Sequence, residues 1–361
     1  MTAQRQASIR RPSTGFTLTE LLVAIGIIAL LIGLLLPALS AVNQRAKKSA
    51  TAALMEQFAN ACNAFQQQFG YVPGLVPEDV LAYDTAQSGG VAKISGTENA
   101  ILHLMGGGVR ADDEPAYFSS LGTSDGWVTV SFQRPAGGTL DVKVNVRKIG
   151  DGPRIGGKQY PPFFTAKASE LLAVTGQAGA NGGGDIDFDP NTAGTQGIPD
   201  LVDGWGQPIM FLRAARSSGP LMGNVLGTGT TPPSQFGTYA LTPYIKSLGL
   251  GELGKDQTVD SLFNVATGTE SGASNTDAFA AQVVRHAGFG DKTKPTTTGT
   301  ARGRFVLFSA GKDGLYFSRY DGPGSSSNAV TNIITSDFAN GGNFGPQVVD
   351  NYDDVRVFGG S

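Results

Sequence analysis

Cysteine is almost missing from this chain, which has only Cys62. No intrachain disulfide can form, and the two histidines, His103 and His286, give no zinc-ligand spacing. Cys62 therefore reads as a small apolar residue on a helix face. A basic surplus is lacking too. Twenty-seven Lys and Arg stand against thirty Asp and Glu, a net charge of −3 that gives nucleic acid little to bind. Two catalytic patterns are absent: there is no P-loop and no H-E-x-x-H. Gly-rich stretches such as Gly106-Gly107-Gly108 and Gly182-Gly183-Gly184 follow no strand and open no helix, so they read as loops. There is no solenoid repeat and no Gly-x-y period. The 51 glycines, nearly all after residue 70, thus mark a loop-rich region. With 361 residues, 40% of them hydrophobic and 16% charged, the chain can still bury a core, as one large domain or two small ones.

Charge is scarcest in one stretch. From Leu21 to Leu36 every residue is apolar, and Ala38, Leu39, Ala41 and Val42 extend the run beyond Pro37. Counted from Phe16 the stretch is about 25 residues, near the upper end of what spans a bilayer. A cleaved secretory signal would have an apolar core of about 7–15 residues and then a small-x-small site. This core is longer, and Asn43-Gln44-Arg45 continues into more helix, so a retained membrane anchor is expected. Arg5, Arg10 and Arg11 precede the span, but Arg45, Lys47 and Lys48 follow it. The positive-inside count is a draw and does not orient the segment. Beyond the span, Leu54, Phe58, Ala61, Cys62, Phe65 and Phe69 form one apolar stripe, opposite Gln57, Asn60, Asn63, Gln66 and Gln67. Gly70 and then Tyr71-Val72-Pro73-Gly74 supply the stop. A helix from Phe16 to Phe69 would be about 80 Å long at ~1.5 Å per residue. Its second half is expected to lie against a head.

One acid interrupts the apolar run. A carboxylate inside a span costs about 2.5–3.5 kcal/mol on insertion scales, so Glu20 normally marks a function. The alternative is a side chain that snorkels to the interface. The segment Gly15-Phe16-Thr17-Leu18-Thr19-Glu20-Leu21-Leu22 closely resembles the type IV prepilin signature of type IV pilins and type II secretion pseudopilins. The resemblance covers residues 10–42 and implies a cytoplasmic leader, residues 1–15, that prepilin peptidase removes by cutting after Gly15. Phe16 becomes the N-methylated terminus. Glu20 becomes the acid that meets the Phe16 amine of a neighbouring subunit, a pairing that offsets its cost only when subunits assemble in register. Pro37 falls where family members carry a helix-kinking proline.

After residue 75, Trp127–Phe132, Leu140–Val146, Ile209–Leu212, Phe305–Ser309, Leu315–Phe317 and Val355–Phe358 read as strands, with a short helix near Glu98–Met105. Stretches 217–237 and 266–302 read as long loops. The expected fold is α+β: a pilin-like long N-terminal helix, membrane-spanning in its first half, on an antiparallel sheet head with large loop insertions. Two head segments are similar to those of the major pseudopilin: Asp203-Gly204-Trp205-Gly206-Gln207-Pro208 to its D-x-W-G-x-P, and Ser309-Ala310-Gly311-Lys312-Asp313-Gly314 to its S-x-G-x-D-G. The head is about twice that family's size, with insertions around 75–200 and 215–300. In that family the second loop and the acids after it hold calcium. Asp313 matches the loop acid, with Asp353 and Asp354 as downstream acids about forty residues later. Calcium takes six to eight oxygens; the alternative for Asp313 is a turn former before glycine. Asp185-x-Asp187-x-Asp189 is no EF-hand, because Pro190 and Gln196 stand where Gly and Glu are needed.

The expected organisation is leader 1–15, transmembrane helix 16–42, amphipathic continuation 43–70 and exported head 71–361. The expected function is a non-enzymatic filament subunit, with a ligand-binding or adhesive tip protein as alternative. The resemblance implies as partners the prepilin peptidase, neighbouring subunits, an inner-membrane platform with its ATPase, and the lipid bilayer.

Overall fold

The structure, a computed structural model, describes residues 17–87, 93–172, 197–215, 235–236, 283–284, 286, 300–318 and 354–360. The chain divides into two compact units, Met1–Ala46 and Lys47–Ser361. Helix α1 (Leu18–Phe69) begins in the first unit and ends in the second. After it come α2 (Glu78–Gln87), α3 (Gly96–Leu104), β1 (Gly108–Arg110), α4 (Pro115–Ser120), β2 (Val128–Gln133) and β3 (Thr139–Val144). Four two-residue strands follow: β4 (Arg154–Ile155), β5 (Lys158–Gln159), β6 (Leu171–Leu172) and β7 (Asp200–Leu201). The last are β8 (Ile209–Arg213), β9 (Phe305–Ser309) and β10 (Val355–Gly359).

In the first unit the large apolar side chains of α1, from Leu18 to Val42, are all exposed. A helix apolar on every side has no partner in water and suits hydrocarbon. Among the described residues it is the helix long and apolar enough to cross a membrane. The helix continues through Pro37. That residue has no N–H, so the carbonyl one turn earlier, on Gly33, receives no bond from it.

In the second unit the stripe on α1 is buried from Leu54 to Phe65 and half-buried at Phe69. The polar face differs in one place from its expected form, because the Asn63 side chain accepts the Gly360 N–H at 2.9 Å. Among the described residues the head has two three-stranded antiparallel sheets, in strand orders β10-β9-β8 and β1-β3-β2, and two small pairs, β4-β5 and β6-β7. β9 is buried at every position and serves two cores. Phe305 and Leu307 join Phe58, Cys62 and Phe65 of α1, whereas Val306 and Phe308 join Val130, Phe132, Val142 and Val144 of β2 and β3. β2 and β3 alternate buried and exposed residues, as a sheet with one wet face should. Their turn uses Gly137 and Gly138 at φ +88° and +79°, a conformation costly for other residues. α3 starts with a capping box: Ser95 Oγ accepts the Glu98 N–H at 3.1 Å, and Glu98 accepts the Ser95 N–H in return. The long helix and antiparallel sheets form an α+β fold consistent with a pilin-like one.

The expected strand at Leu315–Phe317 is instead a turn. The Leu315 N–H donates to Asp313 Oδ1 and the Phe317 N–H to Asp354 Oδ1, each at 2.8 Å, and Phe317 has φ +49°. Carboxylates take the N–H groups that a ladder would need. Most of the expected loops at 217–237 and 266–302, and Asp185, Asp187 and Asp189, lie outside the described residues.

Phe58 shows what the α1 core is worth. Its ring is 0% exposed and packs edge-on against Phe164 at 5.1 Å and Phe211 at 5.8 Å. Phe58→Ala is expected to cost about 3–5 kcal/mol, read as a lower urea midpoint of the full chain in detergent micelles.

Candidate functional site

Thr17 precedes the first residue of α1 and Glu20 lies in its first turn. The Thr17 N–H donates to Glu20 Oε2 at 2.9 Å and the Thr17 hydroxyl to the same oxygen at 2.7 Å. The Glu20 N–H donates back to Thr17 Oγ1 at 3.3 Å. This is a capping box, which satisfies N–H groups that a helix start leaves unpaired. The spacing Thr17-x-x-Glu20 ahead of an apolar run is its sequence signal. Glu20 is thus hydrogen-bonded within its own chain. Gly15 and Phe16 lie outside the described residues.

The two head segments singled out in the sequence are joined. Asp203 is buried; its Oδ1 accepts the N–H groups of Trp205 at 2.8 Å and Gln207 at 2.9 Å, and its Oδ2 accepts the Ser309 hydroxyl at 2.6 Å. The Ser309 Oγ in turn accepts the Gly311 N–H at 3.2 Å. Ile209 and Ser309 are paired across β8 and β9, and the Tyr316 hydroxyl donates to the Pro208 carbonyl. The same loop rests on α1, where the Gly204 N–H donates to Thr51 Oγ1 at 2.9 Å. A Cβ on Gly204 would stand 3.0 Å from the Lys47 carbonyl oxygen, so a larger residue would lift the loop. Two short motifs, far apart in sequence, therefore clamp the sheet and seat it on the helix.

Burial pushes the Asp203 carboxyl above its ordinary value, against the pull of its hydrogen bonds. Asp203→Ala strands three donors and is expected to cost about 3 kcal/mol, whereas Asp203→Asn, which keeps an acceptor, costs less. Paired urea titrations check the order.

Asp313 Oδ1 accepts the Leu315 N–H, and Asp354 Oδ1 accepts the Phe317 N–H. Asp353 lies outside the described residues. Among the described residues no three His, Cys, Asp or Glu side chains gather as a metal site. Cys62 is buried and free, and burial pushes its thiol well up, which keeps it unreactive.

His103 has a role that its lone position in the sequence did not signal. Its ring lies 4.7 Å from that of Phe65 on α1 and accepts the Gly74 N–H at Nδ1, at 3.1 Å. Burial lowers its pKa to about 3. Below the ordinary value of 6.5 the unfolded chain therefore binds a proton that the folded one refuses. The stabilisation is complete above pH ~6.5 and is lost as pH falls toward 3, by about 2 kcal/mol at pH 5. Glu78 and Asp203, both raised by burial, act oppositely: their contributions fall as pH rises from the ordinary carboxylate value through the raised one. Urea midpoints at pH 7.5 and 5 for the wild type and His103→Gln isolate the histidine. The variant should lose less on acidification.

A membrane-length helix whose second half forms the core of an α+β head defines a class of anchored proteins. Residues 10–36 match the family described as the prokaryotic N-terminal methylation motif. No curated protein and no solved structure matches the chain. With that motif running into the first half of the long helix, the chain fits a type IV prepilin-like protein. The motif implies a membrane-anchored precursor, processed by prepilin peptidase and assembling into pilin-like filaments. Proteins of this kind are typically non-enzymatic.

Proposed function

We propose that this chain is a structural subunit of a type II secretion pseudopilus or a related type IV pilus-like filament. The observation that carries the reading is Glu20, four residues after Phe16 and the lone carboxylate of residues 16–42, the apolar first half of the long helix. Cleavage after Gly15 frees the Phe16 amine, which N-methylation leaves basic. Glu20 then meets that amine on the neighbouring subunit, and each addition matches one buried acid with one buried base. Residues 16–42 form the polymerising segment, and the hydrogen bond missing at Pro37 lets the helix adjust to the filament. The head, residues 71–361, stands on the periplasmic side of the inner membrane. An assembly platform and its cytoplasmic ATPase drive growth, so the work of this subunit is mechanical. The bonding of Asp203 to Ser309 supports the pseudopilin reading, because it gives both motif segments one shared task.

The test is isolation of the tagged full-length chain from cells that contain its own filament system. Other pilin-like subunits should co-purify with the processed protein, in filaments visible by electron microscopy. Recovery of processed protein alone, bound to a surface without such partners, would instead establish the second reading, a minor pilin or adhesin tip. The large head favours that alternative.

A further inference from the structure

The head contains a cavity whose polar wall the filament role leaves unused. Its volume is about 360 Å³, within the 300–1,000 Å³ usual for small-ligand sites. Tyr71, Glu78, Asp79, His103, Arg110 and Arg213 line it, with Pro77 and Ala214 as apolar wall.

One acid of this wall is ion-paired and the other is bonded to backbone. Glu78 pairs with Arg213 at 3.1 Å in a buried ion pair, and Asp79 Oδ1 accepts the Val80 N–H at 3.1 Å. Arg213 is engaged as well, donating to the carbonyls of Val72 at 3.3 Å, Gly74 at 3.5 Å and Val76. A Cβ on Gly74 would lie 2.3 Å from its guanidinium carbon, so the clamp needs glycine there.

What remains is donor capacity. His103 accepts the Gly74 N–H at Nδ1, so the neutral ring carries its hydrogen on Nε2. Tyr71 is 42% exposed, and burial followed by the Asp113 charge pushes its phenol upward, so the hydroxyl stays a donor. Arg110 reaches the Leu75 carbonyl at 3.4 Å and bonds Asp113, and its buried Nε–H has no acceptor among the described residues, so what this side chain brings to the cavity is its positive charge. Asp113 is 47% exposed, so solvent screens its hold on the guanidinium. Spare donors beside a guanidinium call for an acceptor-rich, negative ligand.

We propose that this cavity binds a carboxylate, held by the guanidinium of Arg110 with Tyr71 and His103 as neutral donors. Charge-assisted bonds of this kind are roughly twice as strong as neutral ones. The apolar wall takes a short aliphatic tail. The inference goes beyond the filament reading and does not depend on it.

The test is titration calorimetry on the full-length chain in detergent micelles. The probes are butyrate, butyramide, and an alanine dipeptide with a free or an amidated C-terminus. Both acids should bind saturably and compete, with each amide at least tenfold weaker. An affinity for the free-acid peptide tenfold or more above that for butyrate makes a chain terminus the source; otherwise it is a small acid. Arg110→Gln should weaken the acids at least tenfold. If that variant does not fold, Tyr71→Phe, which keeps the ring against Phe65, should weaken them severalfold. Equal binding of acids and amides, no binding of any probe, or wild-type affinity in the folded variant overturns the proposal.

Discussion

Glu20→Ala is expected to abolish filament assembly while leaving cleavage after Gly15 and membrane insertion intact. Insertion improves, because the intramembrane charge has gone. The carboxylate half of the capping box, the two bonds from Thr17 to Glu20 Oε2, is lost as well, and Ala alone would confuse the two effects. Glu20→Gln separates them, since Gln serves in the same box yet carries no charge. Assembly lost in both variants assigns the role to the charge. Assembly kept by Gln and lost by Ala assigns it to the cap. Filaments like wild type in both leave Glu20 a snorkelling residue and α1 an anchor for an independent head. Pelleted filament and processed membrane protein, quantified side by side, give the answer.

Gly15→Leu is expected to stop processing almost completely. The peptidase must fit the residue before the cut into its site, and a branched side chain there replaces a hydrogen. The precursor should stay in the membrane with residues 1–15 attached and Phe16 unmethylated. Intact-mass measurement of membrane-extracted protein reads both events, because the wild type should lack the leader and carry one methyl group. Wild-type protein that keeps Met1 in cells with active peptidase would end the prepilin reading of the terminus. Efficient cutting of the variant would place the recognition elsewhere.

The anchor and the helical stripe were legible because each is a local pattern. Leu21 to Leu36 needs only composition, and Leu54 to Phe69 needs only the helical period. β8, β9 and β10 stood out as short β-branched and aromatic runs. Leu315–Phe317 has the same local character but became a turn, because Asp313 and the distant Asp354 take its N–H groups. Only tertiary structure could reveal that. α2 did carry a signal, Pro77 followed by Glu78 and Asp79 in the first turn, but its apolar face is too short to assert a period. Asp203 and Ser309 could be singled out one by one, whereas their bond depends on the register of β8 with β9. Arg213 and His103 gave no sign at all. Each acts on the turn after α1 from a remote element, and nothing in sequence spacing records such a contact.

The strand buried on both sides also fixes a timetable. The ribosome makes Phe58 and Phe65 early and Phe305 late, about 10–50 s apart at ~5–20 residues per second. Phe163, Phe164 and Phe211 reach the aromatic residues of α1 within that interval, but the part of the wall that β9 supplies comes last. Neither core of the nascent head is complete until β9 arrives. A message truncated before Val355 would yield a sheet without its outer strand and a helix without the Gly360 bond to Asn63, a product fit for proteolysis and not for polymerisation.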